Sequence, residues 1–107
     1  MNLLFICEKN VMRSRTAEAI YSADGRHNAK SAGILRGAKV MVTAELIRWS
    51  DIIFVMEDDQ KYSILEDFPG EIGYREIVVL DIHDYYYFME PELVELIKIS
   101  VSPHLEG

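Results

Sequence analysis

Five consecutive apolar residues, Ile52-Ile53-Phe54-Val55-Met56, stand between Asp51 and Glu57, and they constrain the fold more than any other stretch. A strand with one wet face alternates apolar and polar side chains. An unbroken apolar run of this length fits a strand buried on both faces, at the centre of a parallel sheet. Parallel neighbours cannot be joined by a tight hairpin, so helices must carry the chain between strands. Asn2 to Ile6 and Ile77 to Leu80 are further short apolar runs, and residues around Ala29 to Ala32 form a fourth, weaker one ahead of Gly33. Helical patterns fall between them. Ser14 to Ser22 places Ala17, Ile20 and Tyr21 on one face, with Ser14 read as an N-terminal cap. Val42 to Trp49 turns Leu46 and Ile47 inward, and a helix near Asp59 to Phe68 stops at Pro69-Gly70. Pro91 opens a terminal helix with Leu93, Leu96 and Ile97 as its buried stripe. The expected fold is a doubly wound, four-stranded parallel sheet with helices on both faces and ligand-binding loops after its strands.

At 107 residues, half of them hydrophobic, the chain reads as one domain over residues 1–107. No apolar run is long enough for a bilayer, and Met1 to Ile6 is strand-like rather than a basic leader. A cytoplasmic, soluble protein without a membrane partner is therefore expected. A net charge of −7 argues against nucleic acid as a general partner. That charge is uneven: residues 1–40 hold seven Lys/Arg and three Asp/Glu, whereas residues 41–107 hold four and fifteen. The basic excess around Lys9, Arg13 and Arg15 suits a small anion. Cys7 is the single cysteine, which excludes an internal disulfide. His27, His83 and His104 lack metal-ligand spacing, so no metal site is expected.

Cys7 follows the first strand directly, and Arg13-Ser14 directly precedes the first helix. The backbone N–H groups of such a loop can converge on an anion, and the helix N-terminus adds its positive dipole end. Those donors, together with a nearby guanidinium, favour a thiolate at Cys7. Arg13 can grip two phosphoryl oxygens with a planar fork that lysine cannot offer, and Ser14 can hydrogen-bond the sulfur.

The run Cys7-Glu8-Lys9-Asn10-Val11-Met12-Arg13-Ser14 resembles the C-x5-R-S phosphate-binding loop of the low-molecular-weight protein tyrosine phosphatases. The similarity continues through Thr16-Ala17-Glu18-Ala19-Ile20, Ser31-Ala32-Gly33 and Asp51 to Glu57. It ends in Asp81-Ile82-His83-Asp84-Tyr85-Tyr86, which resembles the loop that supplies the general acid. The resemblance implies a phosphomonoester hydrolase acting on a phosphorylated protein or a small aryl phosphate. Cys7 would form a phosphocysteine intermediate and Arg13 would bind the phosphoryl group. Asp84 would protonate the leaving oxygen and then activate water, with Asp81 and His83 as the weaker candidates. Glu8 to Ser14 would form the phosphate cradle, with Asn10, Ser14 and Ser31 supporting it. No cofactor or metal is implied. Tyr85, Tyr86 and Tyr87 could line the mouth of the site.

Departures from the family pattern are visible. Lys9 stands where glycine is usual, so backbone strain is expected there. Met12 replaces a second cysteine, Arg15 replaces a proline, and Tyr85 replaces the proline of an Asp-Pro pair. The segment after Gly33 is short, with no counterpart to a supporting histidine. Two other functions fit the same loop: an arsenate reductase dependent on an external thiol, and a weakly catalytic module that binds phosphate or a phosphoprotein.

Overall fold

In a computed structural model, which describes residues 1–105, four parallel strands lie in the order β2-β1-β3-β4. They are β1 (Asn2–Cys7), β2 (Asn28–Gly33), β3 (Ile52–Val55) and β4 (Glu76–Val79). The helices are α1 (Arg13–Ala23), α2 (Ala44–Trp49), α3 (Asp58–Asp67), α4 (Pro69–Ile72) and α5 (Pro91–Leu105). The two strands with unbroken apolar runs, β1 and β3, are the inner pair, with Ile6 opposite Val55. Their side chains alternate between two cores. Leu3, Phe5, Cys7 and Phe54 pack against α1 and α5, together with Ala17, Tyr21, Leu93, Ile97 and Val101. Leu4, Ile6, Ile53 and Val55 pack on the other face with Ile47, Ile64 and Ile72 of α2, α3 and α4. Each fully buried aliphatic side chain contributes about 1.5–3 kcal/mol, so a register slip of one residue in β1 would be prohibitive.

The expected doubly wound sheet is therefore the observed one, with corrections at element ends. Pro69 does not simply stop a helix: α3 ends at Asp67 and Pro69 begins the short α4, where its missing N–H is harmless. β4 is an edge strand, so its apolar residues are only partly covered, with Val78 buried and Ile77 and Val79 half-buried. Ser14 is not a helix cap. Met12 occupies that position without a side-chain bond, and Ser14 lies inside the first turn of α1. Among the described residues, no helix is long and apolar enough to cross a membrane.

Candidate active site

β1 delivers Cys7 to the C-terminal edge of the sheet, level with Gly33 of β2, and α1 begins six residues later. In this strand order the chain leaves β1 and β3 toward opposite faces, which opens a crevice between the loops that follow them. The first turn of α1 contains no acidic residue, so its free N–H groups and positive dipole end remain uncompensated beside that crevice.

Cys7 is only 3 % exposed, and donors lie around its sulfur. It accepts the Asn10 backbone N–H at 3.2 Å and lies 2.9 Å from Ser14 Oγ. Ser14 Oγ accepts from Asn10 Nδ2 at 2.9 Å, which leaves the serine proton free to point at the sulfur. Asn10 Nδ2 also donates to Ser31 Oγ at 2.8 Å, and Ser31 donates in turn to Glu18 Oε1. This chain of bonds explains why Ser14 left its expected cap role: its hydroxyl is committed to the loop. Asn10 takes φ +58°, a left-handed conformation that asparagine tolerates better than most residues. Lys9 carries no positive φ, so the strain expected there falls instead on Asn10, whose side chain compensates for it.

The loop is braced from below by the segment after β2. Leu35 N–H donates to Glu8 O and Lys39 N–H to Lys9 O, each at 3.0 Å, and Ile34 N–H donates to Cys7 O at 3.1 Å. Gly33 makes this approach possible. A Cβ at that position would sit 2.5 Å from Glu8 O, 2.8 Å from Ala38 Cβ and 2.9 Å from Asn10 N.

Arg13 is only 2 % exposed although it is charged. Its Nη1 donates to Glu57 Oε1 and to the Ile82 carbonyl, both at 2.7 Å. Those two bonds use both Nη1 protons. Nε and Nη2 make no hydrogen bond among the described residues, and Nε lies 3.8 Å from Asp84 Oδ1. One edge of the guanidinium is thus fixed and the other is free for a bidentate ligand. The hydrogen bond from Arg13 holds the Glu57 carboxyl below the ordinary carboxylate range, with the Arg13 charge and a contact from His83 adding to it and partial burial opposing. Gln60 Oε1 accepts the Glu57 backbone N–H at 2.7 Å and fixes this acid at the start of α3.

Cys7, Arg13 and Asp84 share a cleft of about 380 Å³ with Glu8, Lys9, Val11, Met12 and the three tyrosines 85 to 87. Asn10, Ser14 and Ser31 lie behind the cleft wall. Asp81 does not line the cleft, and His83 turns away to Glu57 Oε2 at 3.3 Å. The loop bearing Asp84 is tied to α1 because Met89 N–H donates to Thr16 Oγ1 at 3.0 Å, while that hydroxyl donates to Met12 O at 2.7 Å.

Solved structures of other proteins share this architecture. The tyrosine phosphatase Wzb from Escherichia coli K30, in complex with phosphate, superposes with a TM-score of 0.75 at 19 % identity, over 96 % of this chain and 94 % of that one. The shared architecture is that of the low-molecular-weight phosphatases. The low-molecular-weight phosphotyrosine phosphatase 2 from Vibrio cholerae O395 gives a TM-score of 0.69 at 16 % identity, covering 98 % and 96 % of the two chains. The YwlE arginine phosphatase from Geobacillus stearothermophilus gives 0.70 at 19 % identity, covering 97 % and 93 %. No family model and no curated protein sequence matches the chain.

Sequence reasoning passed over Glu57, Glu18, Thr16 and the Ile82 carbonyl. Glu57 had a legible signal, an acid directly after the buried strand that neighbours β1. Glu18 lies four residues after Ser14, on the same helical face. Nothing in the sequence marks Ile82 O, because a main-chain carbonyl is placed by tertiary path alone.

Proposed function

We propose that the protein is a cysteine-dependent phosphomonoester hydrolase, acting on a phosphorylated protein or an aryl phosphate by way of a phosphocysteine on Cys7. The observation that carries this reading is the half-committed Arg13. Its inner edge is fixed by Glu57 and Ile82, and its outer edge faces the cleft that the donor-surrounded sulfur shares with Asp84. A phosphoryl group in the cleft would meet the loop N–H groups and the free Nε/Nη2 edge, which stabilise charge on its equatorial oxygens. The Cys7 thiolate attacks phosphorus as the ester oxygen leaves, and Asp84 gives that oxygen its proton. The Asp84 carboxylate then takes a proton from water as it attacks the phosphocysteine, releasing phosphate and restoring the thiolate. Tyr85 and Tyr87, both largely exposed at the cleft, offer rings on which an aryl group can stack. The similarity of fold to phosphatases of phosphotyrosine and of arginine phosphate supports the reaction class. A lone thiol nucleophile works only while reduced, which supports a cytoplasmic location.

The test is turnover of para-nitrophenyl phosphate and of phosphotyrosine and phosphoarginine peptides. Wild type should hydrolyse the aryl phosphate with chelator present, Cys7→Ser should be inactive, and Asp84→Ala should lose roughly a hundredfold or more in kcat. Folded wild-type protein that binds phosphate without turning over any of these substrates would overturn the reading.

A further inference from the structure

We propose that Lys9, Arg36 and Lys39 form a basic rim that selects phosphorylated protein segments with acidic residues beside the phosphoresidue. This selectivity rests on the phosphatase reading above. Residues 30–43 carry Lys30, Arg36 and Lys39 and no Asp or Glu, in a chain whose net charge is −7. Lys30 is engaged elsewhere, its Nζ lying 4.6 Å from the centre of the Trp49 ring. Lys9, Arg36 and Lys39 are exposed, and none lies within ion-pair distance of a carboxylate among the described residues.

The rim has a fixed shape. Its base is closed by Gly33 N–H to Val40 O at 2.8 Å and Val42 N–H to Gly33 O at 3.0 Å. Its tip is a turn closed by Ala38 N–H to Leu35 O, with Arg36 and Gly37 at the centre and Gly37 at φ +87°. The bonds from Leu35 and Lys39 to the Glu8 and Lys9 carbonyls dock the whole segment onto the cradle whose cleft Lys9 lines. Sheet order sets the direction. The segment after β2 lies on one side of the cradle, and the loops after β3 and β4, with Glu57 and Asp84, lie on the other. Glu8 and Asp84 also line the cleft, Glu8 on the rim side, so three rim cations and the Arg13 guanidinium face two carboxylates.

Arg36 and Lys39 stand outside the cleft lining on a stretch of chain docked to it, so the rim would meet residues flanking a phosphoresidue seated on Cys7 and not the phosphoryl group itself. Exposed Val11, Leu35 and Val40 sit among the cations and give such a segment apolar contact. Screening confines charge effects to about 8 Å at physiological salt, so an acidic neighbour responds to the local rim rather than to the distant acidic surface. The partner that fits is an acidic phosphoprotein segment; a nucleic acid lacks the phosphomonoester flanked by peptide that the cleft and rim together would read.

The test uses para-nitrophenyl phosphate and two phosphotyrosine peptides differing only in Glu or Lys flanks, with wild type and the Arg36→Gln/Lys39→Gln variant. Each peptide kcat/KM is divided by that of the aryl phosphate for the same protein. Wild type should favour the acidic peptide by about tenfold at low salt, with the ratio shrinking as salt rises and falling to near unity in the variant. Calorimetric binding of both peptides to Cys7→Ser protein, with and without the two rim substitutions, should show the same ratio. Turnover of aryl phosphate with no preference for acidic flanks, or a preference unchanged in the variant, would overturn the rim and leave the phosphatase reading intact. Failure of all turnover would sink the phosphatase reading, and the binding ratio then decides the rim separately. Tighter binding of a single-stranded oligonucleotide than of the acidic peptide, lost in the variant, would assign the rim to nucleic acid and overturn it as a peptide reader.

Discussion

Replacing Gly33 with alanine adds one methyl group where β2 passes beneath the Cys7–Arg13 loop, the proposed phosphate cradle. The new Cβ would meet Glu8 O at 2.5 Å, Ala38 Cβ at 2.8 Å and Asn10 N at 2.9 Å, all shorter than real Cβ contacts allow. Two of those atoms are backbone and cannot turn aside, so the cradle itself must move. Overpacking of this kind costs about 1–3 kcal/mol, against at most about 1 kcal/mol gained from a stiffer unfolded chain. For a domain of this size each kcal/mol lowers Tm by roughly 4–8 °C, so circular dichroism should record a clear drop in melting temperature. Activity should fall further than stability. Asn10 N is both a clashing atom and a donor to Cys7 Sγ, and a misplacement of about 1 Å in such a site can cost roughly a hundredfold in rate. Gly70→Ala is the control: it lies in α4 with nothing within 4 Å of its Cβ, so Tm should hold or rise. A Gly33→Ala protein with wild-type melting and wild-type kcat/KM would refute the tight apposition of β2 and the cradle.

Two further perturbations probe the supports of the site. Glu57→Gln should destabilise the fold by about 1–2 kcal/mol at neutral pH, because Arg13 loses its charged acceptor. The folded-state carboxyl titrates below its ordinary 4.5, so its stabilisation is complete above that pH and fades as pH falls through the lowered value. Urea melts across pH should therefore show the gap between wild type and variant closing in acid; a gap independent of pH would contradict the Arg13–Glu57 bond. Thr16→Val removes the acceptor for Met89 N–H, an amide in a left-handed residue, at about 1–3 kcal/mol. Amide exchange across residues 84–90 should quicken, and kcat should fall most for substrates with poor leaving groups. Unchanged exchange would show that the loop bearing Asp84 does not depend on Thr16.

The grouping of side chains around Cys7 was legible because it is local. Cys7, Asn10, Arg13 and Ser14 lie within eight consecutive residues between a strand and a helix, and short-range geometry brings them together. The runs Asn2 to Ile6 and Ile52 to Met56 likewise pointed to strands buried on both faces of a parallel sheet, being too short for buried helices and rich in β-branched and aromatic residues. Expectation failed where two local roles competed. Ser14 has the chemistry of a cap and Lys9 the position of a glycine, yet the loop's path gave Ser14 to the sulfur and the left-handed turn to Asn10.

What tertiary structure alone decided is which distant groups meet the cradle. Glu57 reaches Arg13 across 44 residues, Ile82 O across 69, and Met89 reaches Thr16 across 73. Those meetings depend on strand order, and the order β2-β1-β3-β4 follows from how two cores close on opposite faces rather than from any local pattern. The half-free edge of Arg13 is the clearest case. Sequence supplied a guanidinium with five donors, and the fold determined which of them were consumed in holding it and which were left to face a ligand.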